Sequence, residues 1–149
     1  MNIVKVSKED DIDDSLTGRV KKFCLKVLNI QGIDNWEVSL FLCNDETIRE
    51  LNKQYLNRNC PTDVLSFAQE DEFFTEHKIY LAGDIIISLE NLENNARILG
   101  IDKNEGLKRL IIHGVLHLQG MEHGEDEKEQ SMIELQEKIL DKLTGERLL

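Results

Sequence analysis

Apolar and polar positions alternate along this chain with two periods, and the switches between them predict its elements. Ile3 to Val6 reads as a short strand, and Leu16, Val20, Phe23 and Val27 then recur at helical spacing up to Gly32. Trp36, Val38, Leu40 and Leu42 alternate with Glu37, Ser39, Phe41 and Cys43, which predicts a strand buried on its Trp36 side. Asn44 stands as N-cap, with Asp45 and Glu46 in the first turn, of a helix expected to turn Ile48, Leu51 and Tyr55 inward. A polar loop from Asn57 to Asp63, built around the single proline Pro61, leads to a β-favouring run, Val64 to Phe67. Ile79 to Leu81 and Asp84 to Ile87 read as one antiparallel neighbour interrupted near Gly83, with Asp84 shaping a turn or strand end. Ser88 caps a helix carrying Leu89, Leu92, Ala96 and Leu99, and Gly100 lies past its end. Two further helices are expected, from about Glu105 to Leu118 and from about Asp126 to Thr144. Strands and helices alternate early and helices gather late. The expected fold is α+β over residues 1–149 as one domain, a mixed, mostly parallel sheet of about four strands with one antiparallel strand, covered by about five helices.

Composition narrows the functional classes. The net charge of −11 argues against binding nucleic acid over the whole surface, although it leaves room for a basic cleft. Acid concentrates in residues 9–14, 70–72 and 122–129, while Arg49, Lys53 and Arg58 fall in one segment and Arg97, Lys103, Lys108 and Arg109 in another. The usual reading of such groups is a solvated face. Cys24, Cys43 and Cys60 are an odd number without paired spacing, as suits a reducing compartment. No apolar run approaches a membrane span and Met1-Asn2-Ile3 does not open a secretory leader, so a cytoplasmic protein is expected.

The candidate chemistry lies in His113-Gly114-Val115-Leu116-His117-Leu118-Gln119-Gly120-Met121-Glu122-His123, which holds three of the four histidines. His113 and His117, four apart on a helix, share a face and can aim at one point, and Gly120 can turn the chain back so that His123 approaches it from a third direction. Three neutral imidazoles leave one coordination position open, the arrangement of catalytic zinc, whereas structural zinc is closed by four ligands. The competing explanation is a histidine pair that packs at a core edge or caps a helix end. Zincin proteases share the histidine offset, so this is a zincin-like metal helix, but they place a glutamate base directly after the first histidine. Here Gly114 occupies that position, which argues against peptide hydrolysis. His77 has no assigned role.

Two segments together carry a resemblance. The histidine run and Pro61-Thr62-Asp63-Val64-Leu65-Ser66-Phe67, supported by Gly83-Asp84-Ile85, resemble the YbeY family of bacterial ribosomal RNA maturation factors along nearly the whole chain. The resemblance implies a metal-dependent, single-strand-directed endoribonuclease acting at the 3′ end of the small-subunit ribosomal RNA and in ribosome quality control, with His113, His117 and His123 as zinc ligands. The chain departs from the family pattern in three places. Leu56 stands after Tyr55 where the family usually has a functional arginine, Ala68 replaces a proline, and Met121-Glu122 replaces a common tyrosine and aspartate. Arg58, two residues beyond Leu56, is the candidate to supply the missing charge to a phosphate, and Glu122 is a candidate for proton transfer or ligand orientation. Expected partners are ribosomal RNA and the small subunit or one of its basic proteins. The rival reading is a ribosome-assembly binding protein whose metal is structural.

Overall fold

The computed structural model describes residues 1–69, 74–121 and 126–149, with side chains described from residue 130 onward in the last stretch. The elements follow the order β1 (Ile3–Lys8), α1 (Asp14–Ile30), β2 (Trp36–Cys43), α2 (Asp45–Leu56), β3 (Val64–Ala68), β4 (Tyr80–Ser88), α3 (Leu89–Leu99), α4 (Lys103–Leu118) and α5 (Asp126–Lys142). The sheet order is β1-β2-β4-β3, with β1, β2 and β4 parallel and β3 antiparallel on the β4 edge. The α+β expectation is therefore met, including its single antiparallel strand. No helix among the described residues is long and apolar enough to cross a membrane.

The main core lies on one face of the sheet. Val38, Leu40, Ile85 and Ile87 point toward Phe23 and Val27 of α1 and toward Ile111 and Val115 of α4, all essentially excluded from water. Each such side chain contributes about 1.5–3 kcal/mol on burial. α4 lies unusually close to the sheet because residue 114 has no side chain. A Cβ there would stand 2.8 Å from Ile85 Cγ2, inside the closest normal contact. Gly83, at φ +143°, allows a similar approach within the sheet, where a Cβ would meet the Phe67 carbonyl oxygen at 2.2 Å.

Lys108 of α4 is fully buried. Its ammonium donates to Glu105 Oε1 at 2.9 Å and to the carbonyls of Leu143 and Glu146 at 3.2 and 3.1 Å, so the charge is paired and its donors are used. Asn104 Oδ1 accepts from the backbone N–H groups of Leu148 and Leu149, and Leu148 is buried. These contacts tie the segment after α5 to α4.

Among the described residues the opposite face is covered at one end, where Ile48 of α2 packs with Cys43, Leu65 and Ile86. Two expectations need correction here. Tyr55 does not turn inward: α2 stops covering the sheet before that position, so its side chain is 60% exposed and rests against Phe67 at a ring separation of 5.3 Å. Asp84 shapes neither a turn nor a strand end. β4 runs unbroken through Gly83, the irregularity appearing as a register shift against β2 between Glu37 and Val38, and Asp84 lies mid-strand. Asn44 does stand at the N-cap position of α2, but its amide donates to Asp11 Oδ2 and the Asp45 N–H is met by Glu90 Oε1.

Candidate metal centre

The last turns of α4 carry two of the three candidate ligands, His113 and His117. Asp102 caps the helix start through the Asn104 N–H, and Gln119 ends it, with Gly120 at φ +94° turning the chain and donating to the His117 carbonyl. The turn expected at Gly120 is therefore present. His113 and His117 are half-buried, their rings lie edge to face at 4.6 Å, and their Nε2 atoms are 3.1 Å apart. Two imidazoles on one tetrahedral zinc, at bond lengths of about 2.0–2.1 Å, hold their nitrogens about 3.3 Å apart, so the pair fits such an ion. His123 and Glu122 lie outside the described residues, among which no group of three metal-ligating side chains converges.

A hydrogen-bonded chain fixes one ring. The planar guanidinium of Arg109 grips the Glu137 carboxylate with contacts of 3.0 to 3.2 Å, and this pairing first, with a smaller contribution from a hydrogen bond to Gln136, holds Glu137 below the usual carboxylate range. A carboxylate only accepts, so the Gln136 amide turns its NH2 toward Glu137 and its carbonyl toward His113. His113 Nδ1 then donates to Gln136 Oε1 at 3.3 Å, which leaves the Nε2 lone pair facing His117. The sequence reading missed Gln136 and Glu137. Arg109 at four residues before His113 was a usable signal on α4, but nothing local marks which residues of α5 meet it.

Across from the histidines stands the edge strand. A cavity of about 260 Å³ is lined by residues 62–66 together with His113 and His117. Ser66 Oγ, buried in this wall, has no hydrogen-bond partner among the described residues. The loop leading to the wall is held by α2: Asn52 Nδ2 donates to the Cys60 carbonyl at 2.9 Å, Arg49 to Asn59 Oδ1 at 2.8 Å, and the Arg58 N–H to the Asn52 carbonyl at 3.3 Å. Arg58 is exposed at the head of this loop, after Asn57 in the left-handed conformation, and the cavity wall begins four residues later at Thr62. His77 is exposed in the turn before β4. Position 114, where a zincin would carry its base, faces Ile85 in the core instead of the cleft.

The chain, with its paired-histidine helix over an edge strand preceded by Thr62-Asp63, is matched over residues 2–144 by the Endoribonuclease YbeY family model. This chain belongs to the YbeY family. It is 46% identical over 142 residues to the Endoribonuclease YbeY of Treponema denticola, covering 93% of this chain and 92% of that protein. It is 41% identical over 127 residues to that of Aquifex aeolicus, covering 85% and 83%. The solution structure of a Thermotoga maritima protein superposes with a TM-score of 0.69 at 28% identity, covering 97% of this chain and 91% of that one.

Proposed function

We propose that this YbeY-family chain is a zinc-dependent endoribonuclease that cuts single-stranded RNA at the 3′ end of the small-subunit ribosomal RNA and serves ribosome quality control, with His113, His117 and His123 as metal ligands. One observation carries the reading: two imidazole nitrogens converge at 3.1 Å on the floor of a cleft walled by the edge strand, in a chain whose relatives are named endoribonucleases. When bound, zinc supplies Lewis-acid chemistry, polarising a phosphate oxygen and acidifying water.

The chain's own residues do the rest. Gln136 accepts from His113 Nδ1, which favours the tautomer whose Nε2 carries the lone pair, and His117 joins it from the next turn. β3 and the loop before it form the wall along which a single strand lies. Arg58, exposed where the loop leaves α2, is the cation assigned to the substrate phosphate. Glu122, next to His123, is assigned to orientation of that ligand or to proton transfer. The negative charge of −11 limits contact with bulk RNA and favours delivery by a basic protein of the small subunit in the cytoplasm.

A nuclease-free preparation tests this with a single-stranded RNA from the ribosomal 3′ end. Cleavage is expected to stop with a chelator, to return with zinc, and to be absent in His117→Ala, while Arg58→Ala lowers cleavage and keeps its metal. Binding of naked RNA is expected to be weak and shallowly salt-dependent, about 0.7 in logarithmic slope per phosphate contacted. A second reading, an assembly factor with a structural metal, is favoured by Leu56 in place of the family's arginine. Stable zinc binding without any metal-dependent cleavage would select it.

A further inference from the structure

A second cavity, of about 430 Å³, adjoins the histidine cleft and shares Asp63, Val64 and His113 with it. It opens between α3, α4 and the start of β3. Leu92, Ala96 and Leu99 of α3 and Leu110 of α4 give it apolar walls, and Asn95 and Gln136 place amides in its lining. Leu99 and Ile101 remain 67% and 46% exposed beside it, an aliphatic rim that neither the core nor the metal site explains.

Its chemistry selects one kind of occupant. Among the described residues lining it, Arg109 is the sole lysine or arginine, and its guanidinium is committed to Glu137, while Asp63 and Asp102 add negative charge. A phosphate is therefore disfavoured. A flat, neutral group with apolar faces and a hydrogen-bonding edge suits aliphatic walls and the Asn95 amide, and a splayed nucleobase of a single strand has that form. The volume lies within the usual range for small-molecule pockets, about 300–1,000 Å³, whereas the histidine cleft falls below it.

We infer that this cavity receives the base of a nucleotide flanking the scissile phosphate, with the phosphate in the histidine cleft and the base between α3 and α4. The inference rests on the endoribonuclease reading and adds to it how a single strand is seated. The wall from Asp63 to Val64, common to both cavities, is where the nucleotide passes from one to the other. A duplex cannot make this passage without unpairing, so the cavity also supplies a preference for single strands.

Two measurements test it separately from the nuclease reading. The first follows backbone amide signals of the full zinc-loaded chain during titration with nucleoside 5′-monophosphates and, in parallel, ribose 5-phosphate. The nucleotides are expected to shift Leu92, Asn95, Ala96 and Leu99, and ribose 5-phosphate to leave them in place. Equal shifts with both compounds, or none with any nucleotide, would overturn the base site whether or not the protein cleaves RNA. The second uses single-stranded RNA with one abasic ribose moved along the sequence. Cleavage is expected to fall about tenfold when the abasic position flanks the cut, because burial of the base between aliphatic walls is lost, and little elsewhere. The exposed-rim variant Leu99→Ala should narrow that difference, and Ala96→Phe, checked for native amide dispersion, should abolish it by filling the cavity. An abasic effect of the same size at every position would refute the inference. Absence of cleavage by the wild type at every metal loading would instead remove the nuclease reading, leaving the titration to decide the cavity.

Discussion

The two faces of the sheet are built to different standards. The face under α1 and α4 is sealed so closely that residue 114 has no room for a Cβ, and the histidines project from the edge of that sealed layer. Among the described residues the face under α2 is closed at one end only, and beyond it a groove of about 730 Å³ is lined by Ser39, Phe41, Tyr55, Phe67 and Asp84. The proposed metal ligands would have to be held to within fractions of an ångström, and the sealed face suits that demand. The open face keeps groups that a core would reject, Asp84 among them, whose pKa is raised by partial burial.

This contrast can be broken most severely at Gly114. Gly114→Glu installs the zincin base, but on the core side of α4 against Ile85, and it is expected to destabilise the fold by about 3 kcal/mol or more without producing peptidase activity. Urea denaturation of the variant measures it. A midpoint equal to that of the wild type would mean that the sealed face is looser than its geometry states. A milder test is Gln136→Leu, which leaves the core intact and removes this acceptor from His113 Nδ1. Zinc affinity, read by competition with a chelator, is expected to fall about tenfold or more, while Gln136→Glu retains an acceptor and loses less. The nitrogen shifts of the His113 ring in the metal-free protein should show mixed tautomers in the leucine variant alone.

The smallest effect belongs to the open face. The folded-state pKa of Asp84 is raised, so its ionisation opposes folding as pH rises through that value. Asp84→Asn is expected to raise the urea midpoint slightly at neutral pH and to match the wild type below the ordinary carboxylate value of 3.8. A lower midpoint at neutral pH would mean that the charged form is stabilised by a partner on that face.

Much of this was legible in the sequence, where a local rule was decisive. The alternation in β2, the Ser88 cap and the helical spacing of His113 and His117 each depend on residues close in the chain, and each stands where expected. What escaped depends on which element lies over which. Tyr55 continues the stripe of α2 beyond the point where the helix has anything to cover. Asp84 follows a glycine, which suggested a turn, yet that glycine serves the close approach of β3 to β4. The link from Arg109 through Glu137 and Gln136 to His113 joins two helices through tertiary contacts, and no spacing rule spans the segment between them.

Lys108 sets an order of events during synthesis. Its ammonium is sealed inside by carbonyls from residues 143 and 146, and Asn104 waits for the N–H groups of Leu148 and Leu149. While that segment is still in the ribosomal tunnel, α4 can emerge but its charged lysine has no place to be buried, so the core under the histidines stays open until residues 143–149 are free. Closure of the core around Lys108 is therefore expected to wait on residues 143–149.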